Sequence, residues 1–384
     1  MRLRLNIETQ TALFEFYVRH IWPIHRIFAK KYYSLRCHHC GIATECSPLD
    51  DHGICALCKD YEHLSSVTDQ GDDTPLQNEL EQFLTSFEAK GTLHYDALVL
   101  FSGGKDSSYL LYRLKETHPH LRLLALTINN SFMSAIAMDN AASVTKKLGI
   151  DHMIMAPKAR VFKNMFRHSF MHLQGLGCSA TIDMLDGELL IDQGRVTAAT
   201  MNIPLLIIGY SHEQVKIESL QVPTKYEDPA KRTSAAVYTI EDLSLEEDRH
   251  YWWDGSRYTP EDIPRVVFPY YAWNLSEEFI KSEVNRLGLI DGHKNSPLIT
   301  NNVLIPLQGL VDVATIGYSS WEPEFTQMVR EGKADKKYWQ YTFEMLQYSA
   351  RTGHFLDQAI FTSLEQLDLT PKDIAGLDTL IDTW

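Results

Sequence analysis

Phe101-Ser102-Gly103-Gly104-Lys105-Asp106-Ser107-Ser108 decides the fold. Ahead of it, Tyr95 to Phe101 is a short apolar run of the kind that forms a buried parallel strand. Behind it, Tyr109 to Lys115 carries apolar residues at helical spacing. A glycine pair therefore sits in a strand-to-helix turn. Gly103 and Gly104 are free to take backbone angles closed to other residues and to let a ligand approach the main chain. The first turn of the helix has unpaired N–H groups, and its dipole favours an anion. Ser102, Ser107 and Ser108 add hydroxyl donors and Lys105 adds a cation. Asp106 would repel a bare phosphate, so it is expected to hold a magnesium ion that the phosphates share. The spacing excludes a Walker A loop, and the third glycine of the dinucleotide fingerprint is missing. A capped turn alone needs fewer polar groups than this.

The rest of the 384-residue chain sets bounds on function. Its hydrophobic and charged fractions, 44% and 22%, are those of a globular protein with two or three units. A net charge of −14 disfavours a large nucleic-acid footprint, which needs clustered Lys and Arg. The first ten residues are polar and carry Arg2 and Arg4, unlike a signal peptide, and no stretch of about twenty apolar residues is present. With four of six cysteines in Cys-x-x-Cys pairs, a reducing, cytoplasmic setting is expected.

Residues 1–36 form an aromatic and basic helical segment, interrupted at Pro23. Packing on the domain or on a second copy of the chain is the simpler expectation for it. An anionic membrane surface is the other. Residues 37–60 contain Cys37-His38-His39-Cys40 and Cys55-Ala56-Leu57-Cys58, two knuckles that resemble a zinc ribbon. Cys37, Cys40, Cys55 and Cys58 are the expected ligands, with Cys46, His38 and His39 as substitutes for one. A zinc ion with four protein ligands has no open position, so its expected role is structural.

Residues 61–94 are assigned to a linker and a helix from Leu76 to Ala89. Residues 95–215 alternate strand and helix, which predicts a parallel sheet. Its strands are Tyr95–Phe101, Leu121–Ile128, His152–Ala156 and Leu205–Ile208. Ligands in such sheets bind beyond the carboxyl ends of the strands. That places Thr127, Asn129, Gly209, Tyr210, His212, Glu213 and Gln214 facing the loop. Residues 216–265 are acidic and aperiodic and are expected to be an insertion or lid. Residues 266–384 are expected to be mostly helical. Trp252, Trp253 and Trp273 either stack on a base or sugar or, more simply, fill a core.

Ser-Gly-Gly-Lys-Asp-Ser in this context resembles the pyrophosphate loop (PP-loop) of the ATP pyrophosphatase superfamily. The resemblance implies an adenine nucleotide α-hydrolase-like α/β domain that splits ATP between its α and β phosphates. A zinc ribbon ahead of such a domain, with the helix ending Lys147-Leu148-Gly149 and the strand ending at Gly209, looks like N-acetyl-sugar amidotransferases of surface-polysaccharide biosynthesis. Residues 37–215 carry the likeness. It implies that ATP adenylates the acetamido oxygen of an N-acetyl sugar, free or nucleotide-linked, and that ammonia displaces AMP to leave an acetamidino group. Residue 2 is Arg and Gly177-Cys178-Ser179-Ala180 lacks a second glycine, so no glutaminase is evident. A separate glutaminase and an ammonia-channelling subunit are then implied.

Within that reading Ser102, Gly103, Gly104, Ser107 and Ser108 grip phosphates, and Lys105 sits at the motif's variable position. Asp106 bears on magnesium, Thr127 and Asn129 lie near the adenosine, and Glu213 is a second metal ligand or acid/base. Two alternatives stay open. PP-loop enzymes also thiolate tRNA, a reading weakened by Cys178 being the one cysteine in the domain and sustained by the basic run Lys158, Arg160, Lys163, Arg167, His168 and His172. The other is an ATP-binding scaffold without activity, which the intact loop disfavours.

Overall fold

The computed structural model describes residues 6–67, 74–90, 94–173, 175–211, 214–215, 227–228, 246–292, 298 and 302–384. Helices α1 (Ile7–His20) and α2 (Trp22–His25) lead into the cysteine module, which ends in α3 (Ala56–Val67), and α4 (Thr74–Thr85) precedes the sheet. Then come β1 (Ala97–Leu100), α5 (Lys105–Thr117), β2 (Leu123–Ile128), α6 (Ala135–Leu148), β3 (Asp151–Met155), α7 (Ala159–Met171), α8 (Met184–Thr200) and β4 (Leu205–Ile207). β5 (Glu227–Asp228) and β6 (Arg265–Val267) complete the sheet, and the remainder is helical.

The strand order is β3-β2-β1-β4-β6-β5. Five strands are parallel, with Ala97 paired to Leu123 on one side and Leu205 on the other, and only β5 is antiparallel. This is the parallel α/β sheet expected from sequence. β6 was not anticipated: it straddles the boundary between the acidic insertion and the helical region. Its three residues, closed in by Pro264 and Pro269, are too few to show a period.

Alternation along the strands makes two cores. Leu98, Leu124, Leu126, Leu206 and Val266 face one, shared with α1, α7, α8 and the C-terminal helices. Ala97, Val99, Ala125, Leu205, Ile207 and Val267 face the other, with α4, α5, α6 and the helix Glu277–Arg286. Residues 6–36 and 302–384 thus share a core with the sheet. Trp252, Trp253 and Trp273 are buried, as core filling requires.

Local signals place the ends of elements. Ser134 Oγ accepts the amide of Ala137 to start α6, and Gly149 ends it at φ 62°. Pro23 cannot donate a backbone bond, so α1 stops and α2 restarts with Pro23 in its first turn. The helix expected from Leu76 to Ala89 begins at Thr74 and ends at Thr85.

Buried ion pairs tie the N-terminal segment to the C-terminal helices. Arg36 Nη1 lies 2.7 Å from Glu322, both side chains at most 3% exposed, and Arg36 Nη2 also donates to Gln347. Glu344 accepts from Trp22 Nε1 and from the Arg26 guanidinium. Removing one partner strands a buried charge. Arg36→Met is therefore expected to lower folding stability by about 3–5 kcal/mol, seen as a lower urea midpoint at an unchanged slope.

Candidate nucleotide site and metal centre

The loop after β1 is shaped by one contact. Gly103 has φ +75°, and a Cβ built there would lie 2.0 Å from the carbonyl oxygen of Ala137 in the first turn of α6. No side chain fits, so glycine is required both for the angle and for the approach. Gly104, by contrast, has an extended φ of −80° and serves as the N-cap of α5 without a side-chain cap. The first amides of α5 are thereby left for an anion.

Three serines take different parts around this turn. Ser102 is exposed; its Oγ accepts the Gly104 amide at 3.3 Å and lies 3.1 Å from Ser107 Oγ. Ser108 is fully buried and donates to the Gly104 carbonyl at 2.7 Å. It braces the loop from beneath, while Ser102 stands at the surface.

Lys105 and Asp106 form a pair at 2.7 Å, with Lys105 also 3.6 Å from Glu277. Burial disfavours the Lys105 charge, but Asp106 and Glu277 outweigh it and raise its pKa. Glu277 is buried, yet Lys105 and Lys281 hold its pKa down. Lys281 approaches Glu277 to 2.7 Å and Trp339 Nε1 donates to it. The Asp106 side chain keeps 42% exposure and remains open to a cation. Tyr270 anchors the same turn by donating to the Asp106 carbonyl. Glu277 and Tyr270 were not anticipated as neighbours of the loop. Tyr270 is 164 residues beyond Asp106 and Glu277 is 172 beyond Lys105, so no local spacing links them to the loop.

The other strand ends assemble as topology requires. β1 lies between β2 and β4, so chain connections leave it in opposite directions there, and a crevice opens at the carboxyl ends. Gly209, just past β4, stands against the first turn of α5: a Cβ on it would be 3.7 Å from the Ser107 amide nitrogen. Thr127 is fully buried, its hydroxyl donating to the Phe101 carbonyl and meeting His152 Nε2. Asn129 is half-buried and its Oδ1 accepts the Ser131 amide. His212 and Glu213 lie outside the described residues.

The residues on which the thiolation alternative turned, Cys178 and the basic run, are engaged in internal contacts. Cys178 is fully buried, its amide donates to Asp312, and burial raises its thiol pKa well above normal. A thiol so held is not a ready nucleophile. Of the basic run, Lys158 and Arg160 pair with Asp248, Lys163 pairs with Asp368, and Arg167 donates to the Asp368 carbonyl. Beside Cys178, burial pushes Asp183 and Asp186 up to about 7 and Asp312 to about 6. Asp183 accepts from Trp321 and Gln308, and Asp312 accepts from Ser320, so these two carboxyls anchor the helices Ile305–Thr315 and Glu322–Arg330 to the start of α8.

The cysteine module presents Cys37, Cys40, Cys55 and Cys58, all buried, with their sulfur atoms within 4.8 Å of one another. Cys37–Cys58 and Cys40–Cys55 are each separated by 3.7 Å. Four ligands at about 2.3 Å from a tetrahedral ion would be separated by about 3.8 Å, so these thiols fit one metal ion. Burial raises the Cys37 pKa, but the amides of Cys40, Cys55 and His39 outweigh it and bring it down to about 6. Burial, and then its neighbours Cys37 and Cys55, push Cys40 up to about 11. A cation removes that mutual repulsion. Cys46, His38 and His39 are not in the cluster.

No family model matches the chain. An uncharacterized protein of Methanocaldococcus jannaschii is 36% identical over 80 residues, 21% of this chain; the chain spans 28% of that relative's length. Solved structures that align include the U34-tRNA thiolase of Methanococcus maripaludis with its 4Fe–4S cluster, at 14% identity over 78% of this chain and 87% of that one, TM-score 0.35. NMN synthetase of Francisella tularensis aligns at 11% identity over 78% and 98%, TM-score 0.36. NH3-dependent NAD synthetase of Campylobacter jejuni aligns at 12% identity over 70% and 96%, TM-score 0.34. At these identities and TM-scores the alignments carry no function to this chain.

Two outcomes follow from the geometry. Gly103→Ala adds a left-handed non-glycine residue and a clash with Ala137, a cost of about 2–5 kcal/mol; calorimetry should find ATP binding lost, with thermal stability lowered. Elemental analysis should find one metal ion per chain, and Cys55→Ser should remove it together with the cooperative unfolding of residues 37–60.

Proposed function

We propose that the chain is an ATP-dependent amidotransferase that adenylates the acetamido oxygen of an N-acetyl sugar, releasing pyrophosphate, and lets ammonia displace AMP. The observation that carries it is the intact Ser102-to-Ser108 loop at the sheet's switch point, with open amides on α5 and an accessible Asp106. An amide oxygen is a poor leaving group. Adenylation makes it a good one as the amide nitrogen gives up its proton. Ammonia then adds to the imidate carbon, the C–O bond breaks, and AMP departs with the electron pair.

The chain's own groups suit that sequence. The amides of α5 and the hydroxyls of Ser102 and Ser107 bind the departing pyrophosphate, whose charge grows as the bond breaks. Asp106 is the residue that would hold magnesium, which would neutralise that charge. Asn129 and Gly209 border the nucleotide. Glu277 keeps Lys105 charged and fixed beside the loop. Zinc is the metal proposed for the four cysteines: a four-iron cluster would hold its thiolates on separate irons, further apart than these. Ammonia is proposed to come from a separate glutaminase through a channelling subunit.

Two observations weigh for a sugar rather than tRNA as the acceptor. The basic run on α7 is largely taken up in internal contacts, which leaves less charge for a phosphate backbone. Cys178 is sealed in the core, away from sulfur chemistry.

The deciding experiment incubates the protein with ATP, magnesium, ammonium and candidate acetamido sugars or nucleotide sugars, and in parallel with tRNA and sulfide. Sugar-dependent AMP release, with oxygen replaced by NH in the acceptor's mass, is the expected result. Asp106→Ala should lower it by at least about a hundredfold while metal content and circular dichroism stay unchanged. AMP release that depends on tRNA and sulfide instead would replace this reading with thiolation.

A further inference from the structure

The N-terminal helices carry two apolar stripes, and the fold uses one. Phe14, Val18 and Trp22 are at most 3% exposed and pack in the main core. Leu13 and Phe16 stand on the other side of α1, Ile24 follows on α2 and Ile27 in the turn after it. Phe16, Ile24 and Ile27 are 55%, 68% and 59% exposed. The turn after α2 also holds Phe28, 81% exposed, and Leu35, past the short turn Lys30–Tyr32, is 77% exposed. Isolated exposed apolar residues are ordinary, but these six large ones within residues 13–35 mark a contact surface.

Charge selects its occupant. Between residues 12 and 36 the chain has five Lys or Arg and one Glu, in a protein of net charge −14; Arg19, Arg26 and Arg36 pair with Glu15, Glu344 and Glu322, which leaves Lys30 and Lys31 outside any ion pair among the described residues. That Glu, Glu15, is on the buried side, where it accepts from Arg19 and Tyr338. Arg19, His20, Lys30 and Lys31 are exposed around the apolar residues. A twofold pairing of this stripe with itself would gather Lys30 and Lys31 of both copies with no acid between residues 16 and 36 to offset them. An anionic bilayer surface satisfies both components: apolar side chains enter the headgroup boundary, and the cations meet lipid phosphates.

We propose that residues 13–35 dock the protein flat on an anionic membrane surface. Among the described residues no helix is long and apolar enough to cross a membrane, so the contact is peripheral. α1 and α2 lie along the protein body, fixed by Trp22 and Arg26 on Glu344, so the docked face is set rigidly relative to the sheet. The contact is independent of which acceptor the enzyme uses.

The test is flotation of the full-length protein with phosphatidylcholine vesicles, with and without phosphatidylglycerol. Binding should require the anionic lipid and weaken as salt is raised. Ile24→Asp with Phe28→Glu changes two exposed residues and should lower the bound fraction at least about tenfold, with metal content and circular dichroism unchanged. Absence of binding to either vesicle overturns the proposal. So does equal binding by the double variant, or a dimer of the unmodified protein in sedimentation that the double variant dissolves.

Discussion

The contact between Gly103 and the first turn of α6 governs the geometry of the site. It forces the chain leaving β1 through a left-handed angle and against the Ala137 carbonyl. Nothing larger than hydrogen fits, so α5 starts at a fixed point and its open amides face the crevice between β1 and β4. Ser108 locks the turn from below, and Gly209 closes on it from the β4 side. A loop held by three neighbouring elements needs little reorganisation when an anion arrives.

Around that loop the structure separates attraction from support. The amides, Ser102 and Asp106 face outward. Lys105, Glu277 and Trp339 are buried behind them, and the half-buried Lys281 completes the set, with each charge compensated by the next. A lone Lys105 in this position would be costly. Its companions come from the C-terminal region, so the helix Glu277–Arg286 backs the loop and residues 95–215 do not complete the site alone.

The sheet and the loop were legible because local patterns encode them. Apolar runs ending at Phe101, Ile128 and Gly209 mark strands, and Ser134 and Gly149 punctuate α6. The cysteine quartet was legible from spacing alone. β6 was hidden because three residues carry no period. Glu277 and Tyr270 were hidden because sequence order says nothing about which distant helix lies against a turn. The basic run on α7 looked like a ligand surface because its acidic partners, Asp248 and Asp368, are remote in the chain. The aromatic content of residues 11–33 was plain, but its division into a buried and an exposed face needed the neighbouring helix.

The long reach of the buried ties also shapes how the protein is made. Arg36 meets Glu322 and Arg26 meets Glu344 across sequence separations of 286 and 318 residues. A growing chain emerging from the ribosome presents α1 and α2 hundreds of residues before their partners exist. Both apolar faces of this segment are then uncovered at once, at the stage when association with other chains competes with folding. Contacts of such high order are slow to close. α1 and α2 are therefore among the last elements to settle, and their charged residues, alongside the aromatic ones, keep the segment in solution while it waits.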